Sequence, residues 1–501
     1  MTRSGLQPAD LRRRTIVSGV VVLAVRACQA GVSLGTAVAL ARLLTPADFG
    51  VFAMVVPLGI VATGLSGRCF QLAMLQRGAL TDHDVNAFFW FAVRVNLVVA
   101  AGMLVAGVAL SRFFGEPRVV GVTAMWASLV FLLTLTTFQE ALIKRQMRFP
   151  QVMLVQFVAL VFGASAAVAS AWRGAGYWSL PIQLLIVEVT RGLGVFALST
   201  WRPGTASDAE SGTLAEMRQS WRALGGLHVA TWLNDQPDRL AIGRLGGAPV
   251  LGYYDTARRW SWYPFDEPFF ALTDLAVASL SRVHHDTERF KRAATRAILI
   301  ILTVSMPGIA FVGVATESFV NVLLGSQWSP AIPFMRVLCV MAFVGSLARV
   351  SQWIHLSRGH AGWLVRWSLY VQTPVVALAV LIGCRWGALG VTIAMSLALA
   401  ALALPAVAFA VRGSPIAFRD ALRVASRPAL ASLAAAVVLG TATVEIPGAP
   451  DAGRLVLSFA VFAAVFVTVW LAIPGGVENA RALALDFRAF RRAAADPDPA
   501  P

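Results

Sequence analysis

Apolar stretches of about 20 residues recur along this chain from Ile16 to Ile473, and no other feature restricts its fold as tightly. A helix rises 1.5 Å per residue, so about 20 apolar residues cross the roughly 30 Å hydrocarbon core of a bilayer. Lipid offers the backbone no hydrogen-bond partner, and an α-helix satisfies its N–H and C=O groups within the segment. Charged residues make up only 14% of the 501 and hydrophobic ones 57%, against a charged share of about 25% in soluble domains. A soluble domain with this many long apolar runs in its core is excluded on these grounds. The chain reads as an all-α polytopic membrane protein. Its spans fall at about 15–41, 49–67, 86–111, 119–142, 151–171, 177–200, 223–244, 250–279, 294–316, 332–356, 364–384, 388–411, 426–444 and 454–473, fourteen in all.

The basic residues test that count. With the N-terminus in the cytoplasm, inside segments hold 27 of the 42 lysines and arginines, from Arg3, Arg12, Arg13 and Arg14 to Arg488, Arg491 and Arg492. Outside loops hold only Arg42, Arg112, Arg118, Arg173, Arg244, Arg385 and Arg454. This alternation obeys the positive-inside rule, and a missed span would scramble it downstream. Both termini are therefore expected in the cytoplasm, and the first span is expected to be a retained anchor. The net charge of +16 is explained by orienting arginines, and no nucleic-acid partner is expected. The longest loop, "WRPGTASDAESGTLAEMRQSWR" (201–222), reads as a solvated linker. The end "AAADPDPAP" reads as a disordered tail. No segment is long enough for a soluble catalytic domain, so the chain is read as no enzyme.

The two halves resemble each other. "ARLLTPADFGVF" (41–52) aligns with "GRLGGAPVLGYY" (243–254), placing Arg42 on Arg244, Leu43 on Leu245 and Gly50 on Gly252. Gly115 in "RFFGEP" falls on Gly325 in "NVLLGSQW", and "GAGYWSL" (174–180) on "GALGVTI" (387–393). The matches keep their order with a slowly growing offset. Two parallel six-helix halves are a transporter plan in which cargo sits between the halves at mid-membrane. The expected organisation is a six-helix bundle at 1–200, a cytoplasmic linker at 201–222, a second bundle at 223–411, two further spans at 412–474 and a cytoplasmic tail at 475–501.

Eight basic residues fall within or near spans: Arg26, Arg94, Arg191, Arg239, Arg258, Arg259, Arg336 and Arg349. An arginine at the centre of a spanning helix costs about 2.5–3.5 kcal/mol on insertion scales, so it marks a bundle interior or a wet cavity. The stretch "LNDQPDRLAIGRLGG" (233–247) concentrates such groups. At 100° per residue, His228, Thr231, Asp235, Asp238 and Arg239 share a stripe, with Asp235 and Arg239 spaced as an i,i+4 pair. Pro237 removes a backbone hydrogen bond and is expected to kink the helix. The next span repeats the pattern: Asp255, Arg259, Trp262 and Asp266 share a face that Pro264 interrupts. In the first span Arg26, Gln29 and Ser33 align.

These three helices are expected to wall a wet, cationic, aromatic chamber. Guanidinium groups grip phosphate through two hydrogen bonds, and Trp260, Trp262 and Tyr263 offer flat faces to sugar rings. The candidate cavity residues are Arg26, Gln29, Asp235, Asp238, Arg239, Asp255, Arg258, Arg259, Trp262 and Asp266. The competing reading makes Asp235–Arg239 and Asp255–Arg259 structural ion pairs that neutralise each other. Arg26 and Arg258, with no evident partner, are the stronger functional candidates. Arg94, Arg191, Arg336 and Arg349 are expected to snorkel.

The histidines show no metal spacing, and His228 reads as a satisfied bundle residue. Four scattered cysteines imply neither disulfides nor a metal site. "GVSLG" (31–35) is a GxxxG that permits close helix approach. Trp90, Trp172, Trp178, Trp201, Trp221 and Trp328 read as interface anchors.

"ARLLTPADFGVFAMV" (41–55), "LIKRQMRF" (142–149), "DRLAIGRLGGAPVLGYYDTA" (238–257) and "SRVHHDTERFKRAATRA" (281–297) resemble the bacterial polysaccharide transporters. These are the Wzx-type O-antigen and exopolysaccharide flippases of the multidrug/oligosaccharidyl-lipid/polysaccharide exporter superfamily. The likeness runs from about residue 12 to 430. It implies a V of two six-helix bundles. The implied function is alternating-access transfer of undecaprenyl-diphosphate-linked oligosaccharide across the inner membrane, for O-antigen, capsule or exopolysaccharide synthesis. It also implies contact with membrane lipids and with polymerase and chain-length proteins. Relatives place arginines in a central cavity to hold the lipid diphosphate. Their asparagine-x-aspartate motif stands here as "NDQPD", with Asp238 in the aspartate's place.

No cofactor is expected, and coupling to H+ or Na+ is left open. The alternatives are a peptidoglycan lipid II flippase or a cation-coupled drug exporter of the same superfamily. The exporter predicts an acid-dominated cavity. A membrane polymerase or glycosyltransferase predicts a sizeable outer loop bearing carboxylates or paired arginines, which this sequence lacks.

Overall fold

The computed structural model describes residues 8–77, 80–205, 212–282, 285–358, 361–441 and 451–478, and every regular element among them is helical. Arg3, His284, His360 and the tail from Asn479 onward lie outside the described residues. The helices are α1 (Pro8–Leu43), α2 (Pro46–Leu75), α3 (Asp82–Phe114), α4 (Arg118–Arg145), α5 (Phe149–Trp172) and α6 (Gly176–Leu198). After the 199–211 connection come α7 (Gly212–Asp235), α8 (237–246), α9 (248–282) and α10 (Thr287–Val314). A π turn (Val320–Leu324) and a 3-10 turn (Ser326–Ala331) lead into α11 (Ile332–Ser357). Then follow α12 (361–383), α13 (Gly387–Val411), α14 (Phe418–Thr441) and α15 (Asp451–Ala472).

Among the described residues, ten helical stretches are long and apolar enough to cross a membrane. One of them, Gly362–Val411, holds both α12 and α13, which Gly387 separates with its φ of +70°. The ten omit α7 and α8–α9, and α1 supplies only the shorter apolar stretch Cys28–Leu43. The segments that fall short include those bearing Arg26, Asp235, Asp238, Arg239, Asp255, Arg258 and Arg259, whereas Arg94, Arg191, Arg336 and Arg349 lie on helices that qualify. The chain is a multi-pass membrane protein.

Short-range chemistry sets the helix ends. Thr45 and Thr81 each form a capping box with the aspartate three residues on, Asp48 and Asp84. Gly115 ends α3 in the left-handed region. The linker expected to run to 222 is helical from Gly212, because Leu214 and Met217 bury themselves against a cluster that holds Phe70, Phe88 and Phe138.

The internal repeat is visible in backbone geometry. Its matched glycines Gly115 and Gly325 both have positive φ (69° and 101°), and so do Gly174 and Gly387 (81° and 70°). Gly50 and Gly252 do more. A Cβ on Gly50 would run into the Ala248 carbonyl, and one on Gly252 into the Pro46 carbonyl. Pro46 and Ala248 occupy matched repeat positions, so the contact between α2 and α9 is reciprocal. The GxxxG at Gly31 and Gly35 makes no such approach, for nothing lies near either Cβ position. Gly252→Ala is expected to force these backbones apart and to cost about 1–3 kcal/mol, the usual penalty of overpacking. Thermal unfolding in detergent measures it, and an unchanged midpoint contradicts the contact.

The same end of the molecule is tied shut by hydrogen bonds between α1 and the 320–328 segment. Trp328 Nε1 and Gln327 Nε2 donate to the Ala41 carbonyl (2.8 and 2.7 Å). Arg42 donates to the carbonyls of Leu323 (3.3 Å) and Val322. Each partner satisfies carbonyls that a terminating helix leaves open. Trp328, expected as an interface anchor, is fully buried in this seal. On the outside of the second half, α15 packs against α10 through Phe311, Phe459 and Phe462.

Candidate functional site

Pro237 does not kink a continuous helix. It stands at the start of α8, one residue after α7 ends, and Gln236 forms the break. The Asp235 carbonyl at the end of α7 accepts from Arg258 Nη1 at 3.0 Å. Asp238, in the first turn of α8 where the helix dipole favours an anion, is fully buried. It accepts from Arg258 Nη1 (2.5 Å), from the Tyr254 hydroxyl and from the Arg239 backbone N–H (2.8 Å).

The ion pairs differ from those the spacing suggested. Arg239 reaches across to Asp255 on α9 (2.6 Å) and bonds Gln236 (2.7 Å), not Asp235. Asp255 is thereby taken from Arg259, and Arg258 has a partner after all. The break turns α8 so that i,i+4 neighbours on one straight helix no longer face each other. Arg349 of α11 pairs with Asp266 (2.6 Å) and lies 4.7 Å over the Trp262 ring. Arg26 and Arg259 make no hydrogen bond or ion pair among the described residues, and both are exposed. The Asp235 carboxylate likewise has no hydrogen-bond partner there.

A chamber of ≈ 830 Å³ lies among α7, α8, α9, α11, α12 and α13 and touches α1 at Ser33. Asp235, Arg239, Asp255, Arg258, Arg259, Trp262, Asp266 and Arg349 line it. A second cavity of ≈ 300 Å³ shares Ser33 and is lined by Arg26, Gln29, Gln156 and Arg191. Arg191 pairs with Glu188 (2.8 Å) and approaches Glu140 (3.9 Å), which also holds Lys144 (2.6 Å). The wall is thus not uniformly cationic. Most of its charges are matched, and the cations without an ion-pair partner among the described residues are Arg26 in the smaller cavity and Arg259 in the larger.

Nine of the ten expected residues line cavities, but not the single chamber expected: Arg26 and Gln29 line the smaller and the other seven the larger, with Ser33 common to both. Asp238 sits behind the wall as the anchor of Arg258. Trp260 offers no sugar face; it is buried against Tyr263 and Phe319. Arg191 and Arg349, expected to snorkel, line the cavities. Arg336 pairs with Glu317 (2.7 Å) away from both. His228 donates to the Ile60 carbonyl (3.0 Å), a structural role that Gly64 makes room for.

Sequence reasoning missed the α11 wall: Met341, Gly345, Arg349, Gln352 and His355 all face the chamber. Their spacing of three and four residues was a legible helical stripe. It also missed Asn234, which donates to the Ser368 hydroxyl and accepts from Thr373 (3.0 Å), tying α7 to a π turn in α12 at Ser368–Gln372. Neither α14 nor α15 contributes to either cavity.

A family described as "Polysaccharide biosynthesis protein" matches residues 39–333, more than half of the chain. Succinoglycan biosynthesis transport protein ExoT of Rhizobium meliloti is 25% identical over 411 residues, 82% of each chain. Lipopolysaccharide biosynthesis protein WzxC of Escherichia coli is 21% identical over 370 residues, 72% of this chain and 74% of that one. Among solved structures, the lipid II flippase MurJ in an inward closed conformation superposes with a TM-score of 0.68 at 10% identity, covering 91% of this chain and 99% of that chain. A multidrug resistance MATE family transporter, facing inward, superposes with a TM-score of 0.60 at 15% identity over 81% of this chain and 98% of that one. These two likenesses are of fold.

Proposed function

The chain belongs to the family of polysaccharide biosynthesis proteins, and on that premise we propose that it is a flippase for undecaprenyl-diphosphate-linked oligosaccharides. It carries them across the inner membrane by alternating access for surface polysaccharide synthesis. Fourteen crossings with both termini in the cytoplasm accord with the basic-residue alternation. Two six-helix halves (1–200 and 223–411) and two peripheral spans (412–474) complete the plan, with residues 201–222 linking the halves and the tail from 475 in the cytoplasm. Membrane lipids surround it, and a polymerase and chain-length proteins receive its product.

The observation that carries this reading is that two guanidiniums lining the cavities, Arg26 and Arg259, have no hydrogen-bond or ion-pair partner among the described residues. A charge within a spanning bundle is tolerated where it faces a wet cavity, and there it is available to a ligand. A cargo bearing negative phosphates supplies counter-charge to such guanidiniums. The matched remainder disfavours the drug-exporter alternative, which needs an acid-dominated wall. The chamber lies within the usual range of small-ligand sites, roughly 300–1,000 Å³. It accommodates a head group, while a long polyprenyl chain stays in the bilayer. The Trp328 and Arg42 contacts lie at the end this reading assigns to the periplasm, and the chamber's lining includes Leu356, Leu364 and Ala410 near the ends of their helices that it assigns to the cytoplasm, which suits an inward-facing state.

The test is reconstitution into phosphatidylethanolamine–phosphatidylglycerol vesicles with a labelled undecaprenyl-diphosphate oligosaccharide, following its accessibility to an impermeant reagent. Protein-dependent transfer is expected, with lipid II as competing cargo in parallel vesicles. No transfer above protein-free vesicles contradicts the proposal.

A further inference from the structure

We propose that the part of the chamber walled by α11, α12 and α13 is a sugar-binding subsite that sets which glycan is carried. This rests on the flippase reading and adds to it the residues that recognise the first sugar. Trp367 lines the chamber with its ring packed on Phe409 (5.1 Å between centroids, 28° between planes). The contact fixes a large aromatic side chain at the wall. Gln352 and Gln372 also line the chamber, and neither amide has a hydrogen-bond partner among the described residues. The Trp367 indole N–H has none there either.

The chemistry of this wall differs from that of the charged girdle. The C–H face of a pyranose is apolar and slightly positive, so it lies against the negative face of an aromatic ring. Its hydroxyls need both a donor and an acceptor, and a glutamine amide supplies both. A hydrocarbon tail would leave these amides unsatisfied, and a phosphate would find no cation among them. The backbone is shaped for the task as well. Ser368 and Gln372, four residues apart and so on one helical face, both line the chamber, and the π turn at Ser368–Gln372 widens the helix there. Such bulges concentrate at functional sites. Along α11, Gln352 lies three residues beyond Arg349, about 4.5 Å at 1.5 Å per residue. The subsite therefore adjoins the charged girdle, of which Arg349 is a member.

Equilibrium binding separates the two ideas. The protein in lipid nanodiscs is offered undecaprenyl diphosphate that is bare or carries one glucose, one galactose or one N-acetylglucosamine. One of these sugars is expected to raise affinity over the bare lipid by about tenfold, the worth of a stacking contact plus a hydrogen bond. In Trp367→Ala and in Gln372→Leu the ratio of sugar-bearing to bare affinity falls toward one, and Trp367→Phe retains part of it. In Arg259→Ala both affinities fall and the ratio is kept. The subsite is overturned if no sugar raises affinity in the wild type. It is equally overturned if the Trp367 and Gln372 variants keep the ratio. Failure of the flippase reading has its own signature, bare lipid diphosphate not binding at all.

Discussion

Asp238→Ala is expected to destabilise the protein by about 3–5 kcal/mol, the penalty of leaving a buried charge without its partner. Asp238 has no solvent exposure and takes Arg258 Nη1 at 2.5 Å together with Tyr254 and the Arg239 N–H. Removing it strands the Arg258 guanidinium against the end of α7 and frees the Tyr254 hydroxyl in the core. The expected readout is a lowered melting temperature in detergent, with early loss of the α7–α8–α9 junction by hydrogen exchange. The double replacement Asp238→Leu with Arg258→Met is expected to recover much of that loss, because two apolar groups leave no charge uncompensated. If Asp238→Ala melts with the wild type, the junction does not depend on this pair.

The second large effect concerns transport. Arg259→Ala and Arg26→Ala are each expected to slow transfer of the lipid diphosphate by about 10–100-fold, since a hydrogen bond to a charged group is worth roughly 1.5–3 kcal/mol. Neither side chain makes an internal hydrogen bond or ion pair among the described residues, so both variants are expected to fold and melt as the wild type does. Lysine at either position restores only part of the rate, because an ammonium offers a point charge where guanidinium offers a planar fork. Arg258→Ala is the instructive contrast. Its partner is Asp238, so its loss is expected to appear as instability first. A wild-type rate in both Arg259→Ala and Arg26→Ala removes them from the cargo path.

Much of this was written in the chain. Apolar runs and alternating arginines gave the membrane class, and the repeat matched Gly50 with Gly252 before their backbones were seen in contact. Seven charged residues that line the two cavities were picked out because charges are unfavourable within spans; their contact with cargo is proposed. What failed was pairing. Helical spacing assumes a straight helix, and the break at Gln236 with Gly247 (φ 68°) re-aims α8 against α9, so Arg239 finds Asp255. Arg349 was passed over because one arginine near a span end looks like a snorkelling one. Only its tertiary partners, Asp266 and the Trp262 ring, bring it inward. Trp367 and Gln372 carried no charge to draw notice, and a π turn has no sequence signature that a single chain reveals.

The proposal stands on two cations, Arg26 and Arg259, that have no hydrogen-bond or ion-pair partner among the described residues and would be free to hold a lipid diphosphate. Binding of undecaprenyl diphosphate, undecaprenyl phosphate and undecaprenol to wild type and to the Arg26→Ala/Arg259→Ala double variant addresses this directly. The wild type is expected to rank them diphosphate over monophosphate over alcohol, and the double variant to bind the three nearly alike. A double variant that still prefers the diphosphate by the wild-type margin would contradict the account.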